Sequence, residues 1–299
     1  MTKTLIFSFP GYEELTKKIQ KQLNAGAGDV LVKNFPDGES LVKLNTEVKD
    51  KNIILVCGLD NPDQKAMALI FFCDVARELG AKKIGLVAPY LGYMRQDKRF
   101  NDGEAITANI FAKFLSKQVD WLITIDPHLH RHKSLDEIYT IPTKAIHADD
   151  VISSWIKNNI KKPLLIGPDS ESEQWVSKVA KKSGAPFLIL TKIRHGDQDV
   201  EVSVPDVDKY ENHTPVLVDD IISTARTMIE TVEHLHRAKM RSPICIGIHA
   251  VFANDAYEQL RQSGVRDIVT CNTINHRSNK IDVSEIVAEA INSVNFKEK

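Results

Sequence analysis

Short apolar runs rich in β-branched residues alternate with amphipathic stretches almost from one end of the sequence to the other, and that alternation most restricts the fold. A strand buried on both faces reads as an unbroken apolar run, and a parallel neighbour can be reached only by a crossover, usually a helix. The predicted class is therefore α/β: two similar domains, each a mostly parallel sheet flanked by helices. In the first half, Thr4–Phe9, Val30–Lys33, Asn52–Cys57, Lys83–Val87 and Trp121–Ile125 read as strands, and Tyr12–Leu23, Gln64–Leu79 and Thr107–Lys117 as helices. Glu39–Leu44 adds a short antiparallel strand. In the second half the strands are Leu164–Gly167, Phe187–Thr191, Val216–Asp219, Ile244–Ala250 and Ile268–Thr270. The helices there are Ala148–Asn158, Glu173–Ser183, Thr227–Ala238 and Asn254–Ser263. The expected division is residues 1–145 and 146–282, with the last segment, 283–299, packing back onto the first domain through a helix at Val283–Asn292.

Composition sets limits on partners. Lys and Arg total 39 against 40 for Asp and Glu, so a net charge of -1 provides no overall field for nucleic acid or an anionic membrane. Anionic ligands must be held locally. The apolar runs are strand-sized, which predicts no membrane span and a cytoplasmic protein. The four cysteines, Cys57, Cys73, Cys245 and Cys271, form no C-x-x-C pair and read as buried reduced thiols.

One stretch carries chemistry. Thr214–Thr227 runs from an apolar strand through two acids, Asp219 and Asp220, into a hydroxyl-rich turn and a helix. Ligands of open parallel sheets sit beyond the carboxyl ends of strands, and a turn opening a helix offers unpaired N–H groups to a phosphate. The acids can meet sugar hydroxyls while Ser223, Thr224 and Thr227 hold the phosphate. A plainer reading, in which the acids only cap the helix, fits the same spacing.

This stretch resembles the ribose-phosphate binding loop of the phosphoribosyltransferase superfamily, and specifically of the ribose-phosphate pyrophosphokinases. Further segments narrow the resemblance. Phe35-Pro-Asp-Gly-Glu39 is similar to that family's adenine-contacting loop, and Pro89–Arg99 to its ATP-binding segment; phosphoribosyltransferases lack both. The similarity extends over nearly the whole chain in the same order. It implies a reaction in which the diphosphate of MgATP moves to carbon 1 of ribose 5-phosphate, giving phosphoribosyl pyrophosphate and AMP.

The resemblance also implies roles. ATP is contacted by Phe35, Asp37, Gly38, Glu39, Arg95 and Gln96, in an ATP-binding first domain. Ribose 5-phosphate is held in the second by Arg194, Asp219, Asp220, Ser223, Thr224, Ala225, Arg226 and Thr227. Lys192 and Arg194 are catalytic, and Mg2+ lies with His128 and Asp169. His130 and His132 read as surface residues rather than zinc ligands. A homo-oligomer, dimer-based and up to a hexamer, is implied because the adenine loop reaches a neighbouring subunit's site.

Two departures stand out. Arg226 replaces a family glycine, where a side chain is costly if the loop needs a glycine conformation. Ser170-Glu171-Ser172 follows Asp169 where small residues and glycine are common. These leave a catalytically silent, nucleotide-binding regulatory relative as the alternative. A phosphoribosyltransferase is less favoured, and a plain dinucleotide-binding fold is disfavoured because no G-x-G-x-x-G follows the first strand.

Overall fold

The computed structural model describes residues 3–129, 131–168, 172–194, 200–203 and 208–293, and the chain divides into two compact units. The first comprises residues 1–147 with 283–299, the second residues 148–282.

The first unit is built from β1 (Thr4–Ser8), α1 (Glu13–Leu23), β2 (Gly26–Ala27), β3 (Val30–Asn34), β4 (Ser40–Leu44), β5 (Asn52–Val56), α2 (Pro62–Glu78), β6 (Lys83–Ala88), α3 (Thr107–Gln118), β7 (Trp121–Ile125) and β8 (Thr143–Ile146). Six strands form a parallel sheet in the order β2-β1-β5-β6-β7-β8, while β3 and β4 pair antiparallel as a separate hairpin. The second unit follows with α4 (Asp149–Asn159), β9 (Pro163–Gly167), α5 (Glu173–Ser183), β10 (Phe187–Ile189), β11 (Thr191–Arg194), β12 (Val200–Ser203), β13 (Thr214–Ile222), α6 (Arg226–Arg237), β14 (Ile244–Ala250), α7 (Ala256–Gln262), β15 (Asp267–Cys271) and β16 (Asn279–Ile281). Its parallel sheet runs β10-β9-β13-β14-β15-β16, with β11 and β12 as the separate hairpin. The last helix, α8 (Ser284–Ser293), belongs to the first unit, where it packs on α1.

Residue type explains the layering. All five residues of β7 and all seven of β14 are buried, as strands covered on both faces require. In α6 the buried residues Met228, Thr231, Val232 and Leu235 recur at helical spacing and fix the face turned to the sheet. Phe7 and Phe72 lock β1 against α2 edge to face at 5.3 Å. The four cysteines are buried and free, and burial pushes the Cys57 and Cys73 thiols up to about 12. Among the described residues no helix is long and apolar enough to cross a membrane.

The observed elements differ from expectation mainly at sheet edges. β2, β8 and β16, each a border strand or a two-residue one, lack the double-sided burial that makes a strand legible. The apolar run expected as one strand over Phe187–Thr191 changes partner within it: β10 pairs with β9, and β11 then pairs with β12. β13 is longer than expected because β9 and β14 flank it, its pairing with β14 running on to Ile222.

In each sheet the order reverses at one point, between β1 and β5 in the first unit and between β9 and β13 in the second. The crevice at the carboxyl ends of such a pair is the usual ligand position.

Candidate functional site

In the second unit that position is the end of β13. Val216–Val218 are buried, Asp219 and Asp220 half-buried, and Ile222 buried again. The acids lie inside the strand rather than beyond its end. Each carboxylate accepts from the next amide, Asp220 N–H to Asp219 at 3.0 Å and Ile221 N–H to Asp220 at 2.8 Å. Ser223 and Thr224 then form the turn, and α6 starts at Arg226.

The turn's conformational demand falls one residue earlier than the sequence suggested. Ala225 precedes the helix with φ 57° and ψ 5°, whereas Arg226 is its exposed first residue and is not among the positive-φ positions. A left-handed backbone disfavours residues that carry a Cβ, and alanine's single methyl group costs less there than a β-branched side chain would. The cost expected at Arg226 is therefore corrected to Ala225.

A second loop, after β14, holds this turn. Phe252 N–H donates to Ile222 C=O at 2.8 Å and Ala253 N–H to Ser223 C=O at 3.1 Å. Phe252, at φ 29°, packs its ring against His276 at 4.7 Å and Tyr257 at 5.2 Å, which fixes the amides it presents. Burial, reinforced by Arg277, lowers the His276 pKa and favours a neutral ring there. His249 sits at the end of β14, buried, with Nδ1 2.9 Å from Thr273 Oγ1. Gly247 pairs with Asp219, and a Cβ on it would come within 2.6 Å of the Ile222 side chain. None of these residues was singled out by sequence reasoning. The available signal was a glycine inside a seven-residue apolar run that passes directly into a loop.

On the other side of the crevice β9 ends at Gly167, where a Cβ would meet Ser172 Oγ at 2.5 Å and Ile189 Cδ1 at 2.6 Å. Asp169 and Glu171 lie outside the described residues. Lys192 and Arg194 occupy strand positions in β11, opposite Val202 and Val200 of β12, with their side chains outside the description.

The remaining candidates are in the first unit. Phe35–Gly38 close the β3–β4 hairpin: Gly38 N–H donates to Phe35 C=O at 2.9 Å and Phe35 N–H to Glu39 C=O at 2.7 Å, with Gly38 at φ 94°. Phe35, Asp37, Gly38 and Glu39 are all exposed, and Lys33 Nζ lies 5.4 Å from the Phe35 ring centroid. Among the described residues no hydrogen bond, ion pair or ring contact joins this tip to Arg95 or Gln96.

The segment after β6 is anchored at several points. Leu91 and Met94 are buried, Gln96 Oε1 accepts from Thr107 at 3.2 Å, and Glu104 accepts from the amides of Phe100 and Asn101 at 2.9 and 3.1 Å. The Asn101 side chain, then the two amides, hold the Glu104 carboxyl below its usual range. Arg95, Lys98 and Arg99 are exposed cations.

His128, half-buried, follows β7. His132 Nδ1 lies 3.0 Å from Glu137, and His130 is outside the described residues. Among those described, no three His, Cys, Asp or Glu side chains converge to hold a metal ion.

A family model for the N-terminal domain of ribose phosphate pyrophosphokinase matches residues 4–118, and one for the phosphoribosyl transferase domain matches residues 134–285. The ribose-phosphate pyrophosphokinase of Saccharolobus solfataricus is 31% identical over 280 residues, covering 92% of this chain and 95% of its own. Ribose-phosphate pyrophosphokinase 2 of Archaeoglobus fulgidus is 31% identical over 286 residues, covering 96% and 99%. The crystal structure of phosphoribosylpyrophosphate synthetase from Mycobacterium smegmatis superposes with a TM-score of 0.84 at 22% identity, covering 98% of each chain, which shows the fold.

Proposed function

The chain belongs to the ribose-phosphate pyrophosphokinase family, and from that premise we propose how its residues divide the reaction. The enzyme transfers the β,γ-diphosphate of ATP to the C1 hydroxyl of ribose 5-phosphate, giving phosphoribosyl pyrophosphate and AMP.

The observation that carries the assignment is the sequence of features along one strand. β13 brings Asp219 and Asp220 to the point where the sheet order reverses, and Ser223–Thr227 then turn into α6. The sugar hydroxyls are assigned to the two acids. The 5-phosphate is assigned to Ser223, Thr224, Ala225, Arg226 and Thr227, where hydroxyls, amides and one cation are available. ATP is assigned to the first unit, through Phe35, Asp37, Gly38 and Glu39 of the hairpin and Arg95 and Gln96 of the anchored segment.

In this reading O1 of the sugar attacks the β-phosphorus in line, and the bond from that phosphorus to the oxygen of the α-phosphate breaks. Such a transfer depends on positioning and neutralisation of charge more than on a covalent nucleophile. Lys192 and Arg194 of β11 supply the cations. The β11–β12 hairpin excludes water, which would otherwise compete as acceptor.

Magnesium is the ion we assign. His128 and Asp169 would hold it, and an ion of this kind needs few protein ligands because it binds readily through one or two together with substrate phosphates. It would supply neutralisation of the triphosphate. The exposed hairpin tip, joined to neither Arg95 nor Gln96 among the described residues, favours a homo-oligomer in which a neighbouring subunit receives it. A cytoplasmic setting is part of the same proposal.

The regulatory alternative rested on Arg226 and the Glu171 region. Arg226 lends it no conformational support, since its backbone is that of an ordinary first helical residue, and Glu171 lies outside the described residues. The deciding experiment is product analysis with MgATP and ribose 5-phosphate, with Lys192→Ala beside the native enzyme. Equal AMP and phosphoribosyl pyrophosphate, with turnover collapsing in Lys192→Ala far more than substrate affinity, is expected. Unchanged turnover in the variant would exclude Lys192 from catalysis.

A further inference from the structure

Within the segment Arg95–Arg99, four residues carry charge and only one of them is buried. Asp97 keeps 2% of its side chain exposed, while Arg95, Lys98 and Arg99 face solvent. Its Oδ1 lies 2.6 Å from Nη1 of Arg131, 34 residues away in the loop that follows β7. Its other oxygen, Oδ2, is buried with no hydrogen-bond partner among the described residues. Arg131 is thus the cation that compensates this carboxylate, and a buried charge deprived of its partner must be hydrated or neutralised by rearrangement.

The surroundings decide what that rearrangement would disturb. Gln96 is tied to the start of α3 by Thr107 Oγ1 and by Ala108 N–H, which donates to its carbonyl at 3.3 Å. Phe100 and Asn101 are held by Glu104, and Arg99 Nε donates to Glu104 C=O at 2.9 Å. Both ends of the segment therefore have their own fixings. Phe100 also lies near two cations, with Lys98 Nζ 5.0 Å and the Arg131 guanidinium carbon 5.9 Å from its ring centroid. The Asp97–Arg131 pair ties the middle of the segment across to the loop carrying His128.

We propose that Asp97 and Arg131 are positioning residues that hold the ATP-binding segment in register with the His128 loop, so that the triphosphate and its metal ion are presented together. The proposal rests on assigning ATP to Arg95 and Gln96. Neither partner need touch the nucleotide: Asp97 is buried, and its effect passes through the cations on either side of it.

The test is steady-state kinetics on the full-length enzyme, varying MgATP and ribose 5-phosphate separately, with a thermal melt of each variant. Arg131→Met keeps an unbranched apolar stem and removes the charged head at a position 47% exposed, so the fold is expected to stand. Its KM for MgATP should rise about tenfold, equivalent to about 1.4 kcal/mol, while kcat and the KM for ribose 5-phosphate keep their native values. Arg131→Lys should recover most of the loss. Asp97→Asn removes the charge that needs compensating, so the double variant should bind MgATP no worse than Asp97→Asn alone.

A native KM for MgATP in Arg131→Met, a parallel rise in both KM values, or fully additive effects would each overturn the positioning role. Arg95→Ala separates the two levels of the argument. If it also leaves the KM for MgATP unchanged, the assignment of ATP to this segment has failed and the proposal falls with it. If it raises that KM while Arg131→Met does not, only the positioning role is refuted.

Discussion

Replacing Gly247 by alanine tests whether the strand beside β13 sets the shape of the turn before α6, where the 5-phosphate is proposed to bind. Gly247 pairs with Asp219, and a Cβ there would lie 2.6 Å from both Cγ1 and Cδ1 of Ile222 but 3.7 Å from its Cβ. Ile222 is 1% exposed and cannot swing into solvent. Overpacking of this kind costs about 1–3 kcal/mol, and the stiffer unfolded chain of an alanine variant offsets about 0.4–1 kcal/mol, leaving a destabilisation centred near about 1.3 kcal/mol. In an Ile222→Ala background both clashing atoms are gone, so the same substitution should become neutral or stabilising by up to about 1 kcal/mol. Urea unfolding of the four proteins should therefore give a coupling of about 1–3 kcal/mol. Because Ser223 follows Ile222 directly, the KM for ribose 5-phosphate should rise in Gly247→Ala while that for MgATP holds. Effects that add to within about 0.5 kcal/mol would refute the steric argument, since residues not in contact behave that way.

Two further outcomes follow from local geometry. Valine at position 225 puts a β-branched side chain at φ 57°, whereas valine at 226 occupies an exposed helical position, so Ala225→Val should destabilise by at least about 1 kcal/mol more than Arg226→Val in thermal melts; the reverse order would restore the conformational demand to Arg226. The Glu104 carboxyl, held below its usual range by Asn101 and two amides, favours the fold in its charged form. That contribution is complete above the ordinary carboxylate range and is lost as pH falls through the lowered value, so the Phe100 and Asn101 amide resonances should shift across that acid window and cease to do so in Glu104→Gln.

How far the sequence could be read depended on which physical constraint each residue answers to. β7 and β14 announce themselves because burial on both faces allows only apolar residues, whereas β8 and β16, at sheet borders, carry no such mark. The β13-to-α6 motif was legible because acids, hydroxyls and a helix start must follow one another in that order. Phe252 and Ala253 were not, since they act through backbone amides, which any residue but proline offers. Asp97 was hidden by its neighbours: in a run of cations, nothing in residue type says that the single acid is the buried member. At Ala225 the error was one of register, because the helix begins at Arg226 and the left-handed residue before it is therefore 225.

The two units repeat one plan, and the repetition bears on where the sugar phosphate belongs. Numbering each sheet's strands by appearance, both run 2-1-3-4-5-6, and both insert an antiparallel hairpin between strands two and three. Even the residue preceding the following helix matches: Asn61 before α2 has φ 51° and Ala225 before α6 has φ 57°. The contents of the two turns differ. After β13 come the hydroxyls of Ser223 and Thr224. After β5 comes Asp60, whose carboxylate accepts from Tyr12 Oη at 2.5 Å and Lys65 Nζ at 2.7 Å, while Lys65 also donates to Gly58 C=O at 3.0 Å. Burial, then Asp60, raises the Tyr12 pKa and keeps its hydroxyl a donor. A phosphate approaching that turn would meet a negative charge that already uses the local donors. The first unit's turn thus holds an internal anion, and the contrast with the hydroxyls of Ser223 and Thr224 agrees with the proposed assignment of the sugar phosphate to the second.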